Sequence, residues 1–199
     1  MKQLNTKKIV GIALFTAIVA LLQLLGSFIK LGPFSISLVL VPIVVGAALY
    51  GLVAAAWLGL VFGVTVLLSG DAAVFLAINP AATILIVLVK GIAAGLVSAF
   101  AYKLIEQKNP TLAVFTSAVT CPIVNTGIFL LGCLLFFIDT MREWAVGLGF
   151  GSDVGAYMIV GLVGLNFVAE FVVNLILSPV IVRLIRVADK AKRAVSKTC

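Results

Sequence analysis

The stretch NFVAEFVVNLILSP, residues 166–179, places a regular set of polar side chains inside an otherwise apolar run. Asn166, Glu170 and Asn174 are four residues apart, so in an α-helix they share one face, with a drift of about 40° per step. An ionisable group facing lipid costs several kcal/mol, so such a face normally points into protein or a water-filled cavity. The stretch predicts a membrane helix whose polar stripe faces the inside of a helix bundle.

The composition around this stretch is that of a membrane protein. The 199 residues are 63% hydrophobic and 11% charged, against about 25% charged in soluble domains, and the mean hydropathy is +1.31. A helix needs about 20 mostly apolar residues to cross a bilayer. Six segments approach that length: 9–29, 36–50, 52–68, 78–102, 112–138 and 157–185. The sequence therefore predicts an all-α integral membrane protein, with six transmembrane helices in a single membrane domain that covers 1–199.

The basic residues between these segments predict the orientation. If both termini are cytoplasmic, eleven Lys and Arg residues lie on the inner side, and two, Lys30 and Arg142, lie on the outer side. This asymmetry follows the positive-inside rule, so we expect cytoplasmic N- and C-termini in a cell (plasma) membrane. It also accounts for most of the net charge of +7. We assign that charge to orientation and to contact with anionic membrane lipid, and expect no nucleic acid partner.

Several classes of function are disfavoured by the residues that the sequence lacks. It has no histidine, no Ser or Cys in a nucleophile context and no paired carboxylates within a span, so we expect no catalytic residue and no enzyme activity. The spacing of its three cysteines indicates neither a disulfide framework nor a metal site, and we expect no metal and no cofactor. No GxxxxGKS or GxxxxGKT motif occurs, so ATP-driven transport would need a separate ATPase subunit.

Polar groups on three of the predicted helices fall at a similar depth in the membrane. Lys90 lies about 18 Å below the outer end of the fourth helix, and Asn166 and Glu170 lie about 14 and 20 Å below Tyr157, at 1.5 Å per residue. Asn125 is midway along the fifth helix. We therefore expect these groups to form one polar layer inside the bundle.

Two interpretations of this layer are open. In the first, it lines a binding cavity in which Lys90 counters a ligand carboxylate and neutral side chains hold hydroxyl or amide groups by hydrogen bonds. In the second, Glu170 pairs with Lys90, and the layer fixes the packing of the helices. The candidate substrate-binding residues are Lys90, Asn125, Thr126, Asn79, Asn166 and Glu170.

The first helix presents small residues and no polar atom along one face. In IALFTAIVA, residues 12–20, that face carries Ala13, Ala17 and Ala20. Small residues four apart allow another helix to approach closely. The spacing alone leaves two interpretations open, packing within the bundle and docking to a separate membrane subunit.

Two other pairs of small residues occur at the same spacing, on the third and fourth predicted helices. They are Gly59 with Gly63, and Gly91 with Gly95. For these glycines we expect close packing inside the bundle, because they leave room for the backbone of a neighbouring helix.

Taken together, these features resemble the substrate-binding S-components of energy-coupling factor (ECF) vitamin transporters, and the resemblance covers nearly the whole chain. Three stretches look like the pantothenate-type members: SISLVLVPIVVGAALYG (35–51), INPAATILIVLVKGIAAG (78–95) and VTCPIVNTGIFLLGCLLFF (119–137). In that group the basic residue of the fourth helix is typically arginine. Lys90 lacks the planar fork of arginine, so its contact with a carboxylate is less directional.

The resemblance implies a mechanism. An S-component of a prokaryotic plasma membrane captures a vitamin outside, docks through its first helix onto a transmembrane coupling subunit, and is tilted by two ATPase subunits of the coupling-factor module. Ala13 and Ala17 match the docking motif, and Lys90, Asn125 and Thr126 match the pocket. The outer loop 26–37 corresponds to the lid. The chain is thus expected to be the substrate-specific subunit of an ABC importer for a vitamin, pantothenate first.

Two alternatives to a pantothenate importer stay open. The same role could serve another vitamin, such as riboflavin or folate. A stand-alone proton-coupled carrier of small molecules could instead use Glu170 as its proton carrier. Six helices without an inverted repeat disfavour the carrier.

Overall fold

Helices make up almost all of the structure. The computed structural model describes residues 6–28, 30–31, 34–35 and 39–197. In chain order its elements are α1 Thr6–Gly26, β1 Lys30–Leu31, β2 Phe34–Ser35, α2 Leu40–Tyr50, α3 Leu52–Ser69, α4 Ala73–Ile78, α5 Pro80–Ile105, α6 Pro110–Phe136, α7 Ile138–Gly147, α8 Val154–Ala156 and α9 Gly164–Lys197. A π-helical turn, Tyr157–Leu162, separates α8 from α9. The two short strands pair antiparallel, Lys30 with Ser35 and Leu31 with Phe34.

Five helices in the described part of the chain are long and apolar enough to cross a membrane. They are α1, α3, α5, α6 and the part of α9 up to Arg183. The predicted all-α membrane architecture is confirmed at this level. The remaining apolar helix, α2, has 11 residues, which at 1.5 Å per residue is about 16 Å, against about 30 Å of hydrocarbon. A sixth span through α2 stays a prediction, as does the orientation of the termini.

In the second half of the chain, two regions of the structure differ from the predicted segments. The fifth predicted helix ends at Phe136, and α7 forms between the fifth and sixth predicted segments, where no helix was predicted. Met141 and Ala145, four residues apart, are buried on the inner face of α7 while Arg142 and Glu143 are exposed, so this helix lies on the surface of the bundle. The last helix was predicted over 157–185 but begins at Gly164 and continues to Lys197. The predicted lid, 26–37, contains the two paired strands, while its residues 29, 32, 33, 36 and 37 lie outside the described residues; its role as a lid stays a prediction.

The largest cluster of buried apolar residues joins six of the helices. Its buried members come from α1, α2, α3, α5, α6 and α9, and include Val19, Ile43, Leu58, Phe62, Val87, Val114 and Ile181. Large apolar side chains also cover the outside of the helices, among them Leu14, Leu135 and Ile176. An apolar exterior around an apolar core is the pattern of a helix bundle surrounded by lipid.

Helices α3 and α5 touch backbone to backbone through their glycines. A Cβ atom on Gly91 would overlap the carbonyl oxygen of Gly59, and one on Gly59 would overlap the carbonyl of Gly91. At Gly63 a Cβ would lie 2.9 Å from the carbonyl oxygen of Val87. The prediction that these glycines pack inside the bundle is confirmed.

A Gly91→Ala substitution is expected to destabilise the protein by about 1–3 kcal/mol, because the new methyl group has no space between α3 and α5. Gly127→Ala on α6 is the matched control, since nothing lies within 4 Å of its Cβ position, and alanine there favours the helix by about 1 kcal/mol. Thermal unfolding in detergent measures both variants. Equal unfolding temperatures for the two would contradict the close contact.

Candidate binding cavity

A cavity lies between α5, α6 and α9, and α1, α4 and the α3–α4 turn form its end. Five of the six candidate residues line it: Lys90, Asn125, Thr126, Asn166 and Glu170. These residues come from three helices, and the sequence predicted from their depth that they form one polar layer. In the structure they line the same cavity. Their role in binding stays a prediction.

Asn79, the sixth candidate residue, does not belong to the lining of this cavity. It is the N-cap of α5, and its side-chain oxygen accepts a hydrogen bond from the backbone N–H of Ala82 at 3.1 Å. Pro80 follows at the first helical position, where the missing N–H costs nothing. The local sequence therefore uses Asn79 to start the helix that carries Lys90.

Lys90 directs its ammonium group toward aromatic rings. Its Nζ lies 5.6 Å from the ring centroid of Phe62 and 5.4 Å from that of Phe129, distances at which a cation is attracted to the ring face. Among the residues whose side chains are described, one ion pair has its nitrogen and oxygen atoms within 4.0 Å of each other. It is the exposed contact between Arg142 and Asp139, at 2.8 Å. Lys90 and Glu170 therefore share the cavity without forming the direct pair that one interpretation of the sequence required.

The polar stripe of α9 faces the bundle, as predicted. Glu170 and Asn174 are each 1% exposed. The Asn166 amide Nδ2 donates to Glu170 Oε1 at 3.0 Å, and the Asn174 amide Nδ2 donates to the Glu170 backbone carbonyl at 2.8 Å. Asn166 and Glu170 belong to the cavity wall, while Asn174 lies outside it. The Asn174 end of the stripe thus packs inside the bundle, and the Asn166 and Glu170 end forms part of the cavity wall.

Three side-chain carbonyl oxygens in the cavity wall are buried without a hydrogen-bond donor in the described part of the chain. They belong to Gln23, Asn125 and Asn166. A buried acceptor without a donor costs about 1–3 kcal/mol. Water or a bound molecule that donates hydrogen bonds can remove this cost, so the cavity is suited to a polar occupant.

Gln23 and Asp71 belong to the cavity wall but were not predicted to do so. Gln23 Nε2 donates to Asp71 Oδ2 at 2.7 Å, and Ser69 Oγ donates to the same oxygen at 3.1 Å. A single glutamine in the apolar run LLQLLG (21–26) was the available signal for Gln23. The contact with Asp71 joins residues 48 apart in sequence, which no local pattern shows.

Aromatic side chains close the cavity at the α4 end. Phe75 packs edge to face with Phe129, Phe137 and Trp144, with ring centroids 5.5, 5.2 and 5.7 Å apart. Phe75, Phe129 and Phe137 line the cavity. These rings hold α4, α6 and α7 together, and they add apolar surface to the cavity wall.

The alanine face of α1 points away from this cavity. Ala13 and Ala17 are exposed and Ala20 is half-buried, whereas Val19 and Gln23 on the other side of the helix are buried. In the described part of the chain, the face of Ala13 and Ala17 is therefore not used for internal packing. It is open to lipid or to another membrane protein.

Apolar helices of membrane length around a partly polar cavity define a multi-pass membrane protein with an internal site for a small molecule. The model of the family described as ECF transporter, substrate-specific component, matches residues 7–182, and the chain belongs to this family. The family is one of transporter components, not of enzymes, and it implies a substrate and an ECF module with a transmembrane subunit and ATPase subunits. No curated protein and no solved structure matches the chain.

Proposed function

We propose that this substrate-specific component binds pantothenate in the cavity around Lys90 and delivers it with a transmembrane coupling subunit and two ATPase subunits. The observation that carries the proposal is the position of the Lys90 ammonium, which lies in the cavity against two rings and outside ion-pair distance of the described carboxylates. A cation held in this way is suited to the carboxylate of a ligand.

The neutral groups of the wall fit the rest of such a ligand. Asn125 and Asn166 offer buried carbonyl oxygens without donors, and Thr126 offers a hydroxyl group on the same wall. Pantothenate carries hydroxyl groups and an amide N–H that can supply the donors. Phe129 and Phe137 give apolar contact area for its carbon chain.

The same proposal includes the orientation of the protein in the membrane and the face on which its partner docks. Both termini are cytoplasmic in a prokaryotic plasma membrane, and the α4 and α7 end of the bundle faces outward, where the vitamin is captured. The coupling subunit docks on the exposed face of Ala13 and Ala17, with Ala20 at its edge. Small side chains there let a helix of the partner approach closely.

Mass spectrometry of small molecules released from the purified protein, followed by calorimetric titration with pantothenate, tests the proposal. Pantothenate in the released fraction and saturable binding would support it. Riboflavin, folate or another vitamin would keep the transporter role and replace the substrate. Uptake that runs on a proton gradient with this protein alone would support the proton-coupled carrier instead.

A Glu170→Gln substitution is expected to lower the unfolding temperature while changing the affinity for pantothenate by less than about fivefold. The amide keeps an oxygen acceptor for Asn166 Nδ2, whose bond to Glu170 is 3.0 Å long, but loses the charge that strengthens that bond, by roughly 1 kcal/mol. Thermal unfolding and titration measure the two effects.

Glu143→Gln on the exposed face of α7 is the control for Glu170→Gln, and it should change neither quantity. Complete loss of affinity in a folded Glu170→Gln protein would show that the carboxylate itself binds the ligand. Loss of proton-driven uptake would favour the carrier.

A further inference from the structure

Gln23 is a polar side chain that the proposed contacts of the substrate leave without a role. It is 1% exposed, it lines the cavity, and its Oε1 has no hydrogen-bond donor among the described residues. Burying such an oxygen without a donor is unfavourable. A contact with a bound molecule would remove that cost.

The contact with Asp71 decides which end of the Gln23 amide faces the cavity. An ionised carboxylate only accepts hydrogen bonds, so the NH₂ group of the amide must be the end that meets it. Gln23 Nε2 lies 2.7 Å from Asp71 Oδ2, and the carbonyl oxygen is left for the cavity. Asp71 therefore accepts one N–H of Gln23 and leaves the carbonyl oxygen as the buried acceptor without a donor.

The same arrangement recurs on α9. Asn166 Nδ2 lies 3.0 Å from Glu170 Oε1, and Asn166 Oδ1 is again a buried acceptor without a donor. Two amides from different helices are thus oriented by two carboxylates in the same sense. A ligand that satisfies both carbonyl oxygens has to donate hydrogen bonds to them.

Gln23 and Lys90 lie at different depths. Gln23 is three residues from the end of α1 and Lys90 is ten residues from the start of α5, and both ends lie toward α4. At 1.5 Å per residue, Lys90 is roughly 10 Å farther from its helix end than Gln23 is from the end of α1. In pantothenate, about eight bonds separate the carboxyl carbon from the terminal hydroxyl oxygen, a reach of roughly 9 Å at the extension of a polypeptide backbone. One extended molecule of this kind can contact both groups.

We infer that Gln23, oriented by Asp71, selects a ligand that carries a hydroxyl or N–H donor at the end opposite its carboxylate. The substrate class is therefore a carboxylic acid with a donor-bearing far end. The inference rests on the proposed function, because it takes Lys90 as the partner of the carboxylate.

Titrations of the full-length protein in detergent with two probes test the role of Gln23. The probes are pantothenate and N-(3,3-dimethylbutanoyl)-β-alanine, which has the same carbon skeleton, amide and carboxylate but no hydroxyl group. We expect the analogue to bind the wild type about tenfold more weakly than pantothenate does. Gln23→Met keeps the size of the side chain. We expect this substitution to weaken the binding of pantothenate by about tenfold and the binding of the analogue by less than about twofold.

An equal effect of Gln23→Met on both probes, or none on either, would overturn the inference and leave the proposed function standing. Binding of neither probe to the wild type would overturn the proposed function and this inference with it. Gln23→Leu is the second variant if Gln23→Met does not fold. It also removes the acceptor oxygen of residue 23, and the same selective loss for pantothenate is expected.

Discussion

Replacing Lys90 with glutamine is expected to weaken pantothenate binding by about 100-fold while the protein still folds. The ammonium supplies a charge-assisted hydrogen bond to the ligand carboxylate, worth about 1.5–3 kcal/mol, or roughly 10- to 150-fold in Kd. The substitution should cost the folded protein less stability than it costs binding, because Lys90 contacts aromatic rings rather than a carboxylate among the described residues. Calorimetric titration, with size-exclusion chromatography to check folding, measures the result.

Lys103→Gln is the matched control for Lys90→Gln, because Lys103 is an exposed lysine in the last turn of the same helix. It removes the same charge from the protein outside the cavity and should leave Kd unchanged. Lys90→Arg keeps the cation and is expected to retain binding, since guanidinium also pairs with carboxylates. Unchanged affinity in Lys90→Gln would assign Lys90 to packing and remove the main support for a carboxylated substrate.

Tryptophan at Ala13 or at Ala17 is expected to reduce uptake by the assembled transporter at least tenfold and to leave pantothenate binding intact. Both alanines are exposed, so the large side chain costs the isolated bundle little. On a docking face it would hold the coupling subunit away from α1, because close helix contacts in membranes depend on small residues. Vesicle uptake and titration of the purified protein measure the two properties separately.

Ile176→Trp on α9 is the control for the alanine variants. Ile176 is 68% exposed and lies on another helix of membrane length, so tryptophan there should affect neither uptake nor binding. Normal uptake by both alanine variants would mean that the coupling subunit docks on a different face. Loss of ligand binding in either variant would mean that the substitution damages the bundle itself.

The parts of the fold and of the cavity that sequence predicted are those with a helical period. The stripe on α9 faces inward, and Lys90 and Asn125 line one cavity, because a polar group in an apolar helix has to be buried and helical rise fixes its height. The glycine contact between α3 and α5 was likewise visible as spacing. Each of these depends on neighbours along one helix.

What the sequence did not predict depends on contacts between distant segments. Gln23 meets Asp71 across the chain, and nothing in either local stretch indicates the other. Phe75 looks like any apolar side chain until the structure places it against Phe129 and Trp144. Asn79 does not line the cavity, and the cap that its side chain forms accounts for a polar residue at this helix start.

The glycine contact next to Lys90 also bears on the position of the cation in the cavity. Lys90 directly precedes Gly91, whose backbone lies against that of Gly59. Because no side chain separates the two backbones there, an added side chain would force α3 and α5 apart. Such a substitution would move Lys90 together with its helix, so the small residues of this contact matter for the place of the charge as well as for the stability of the bundle.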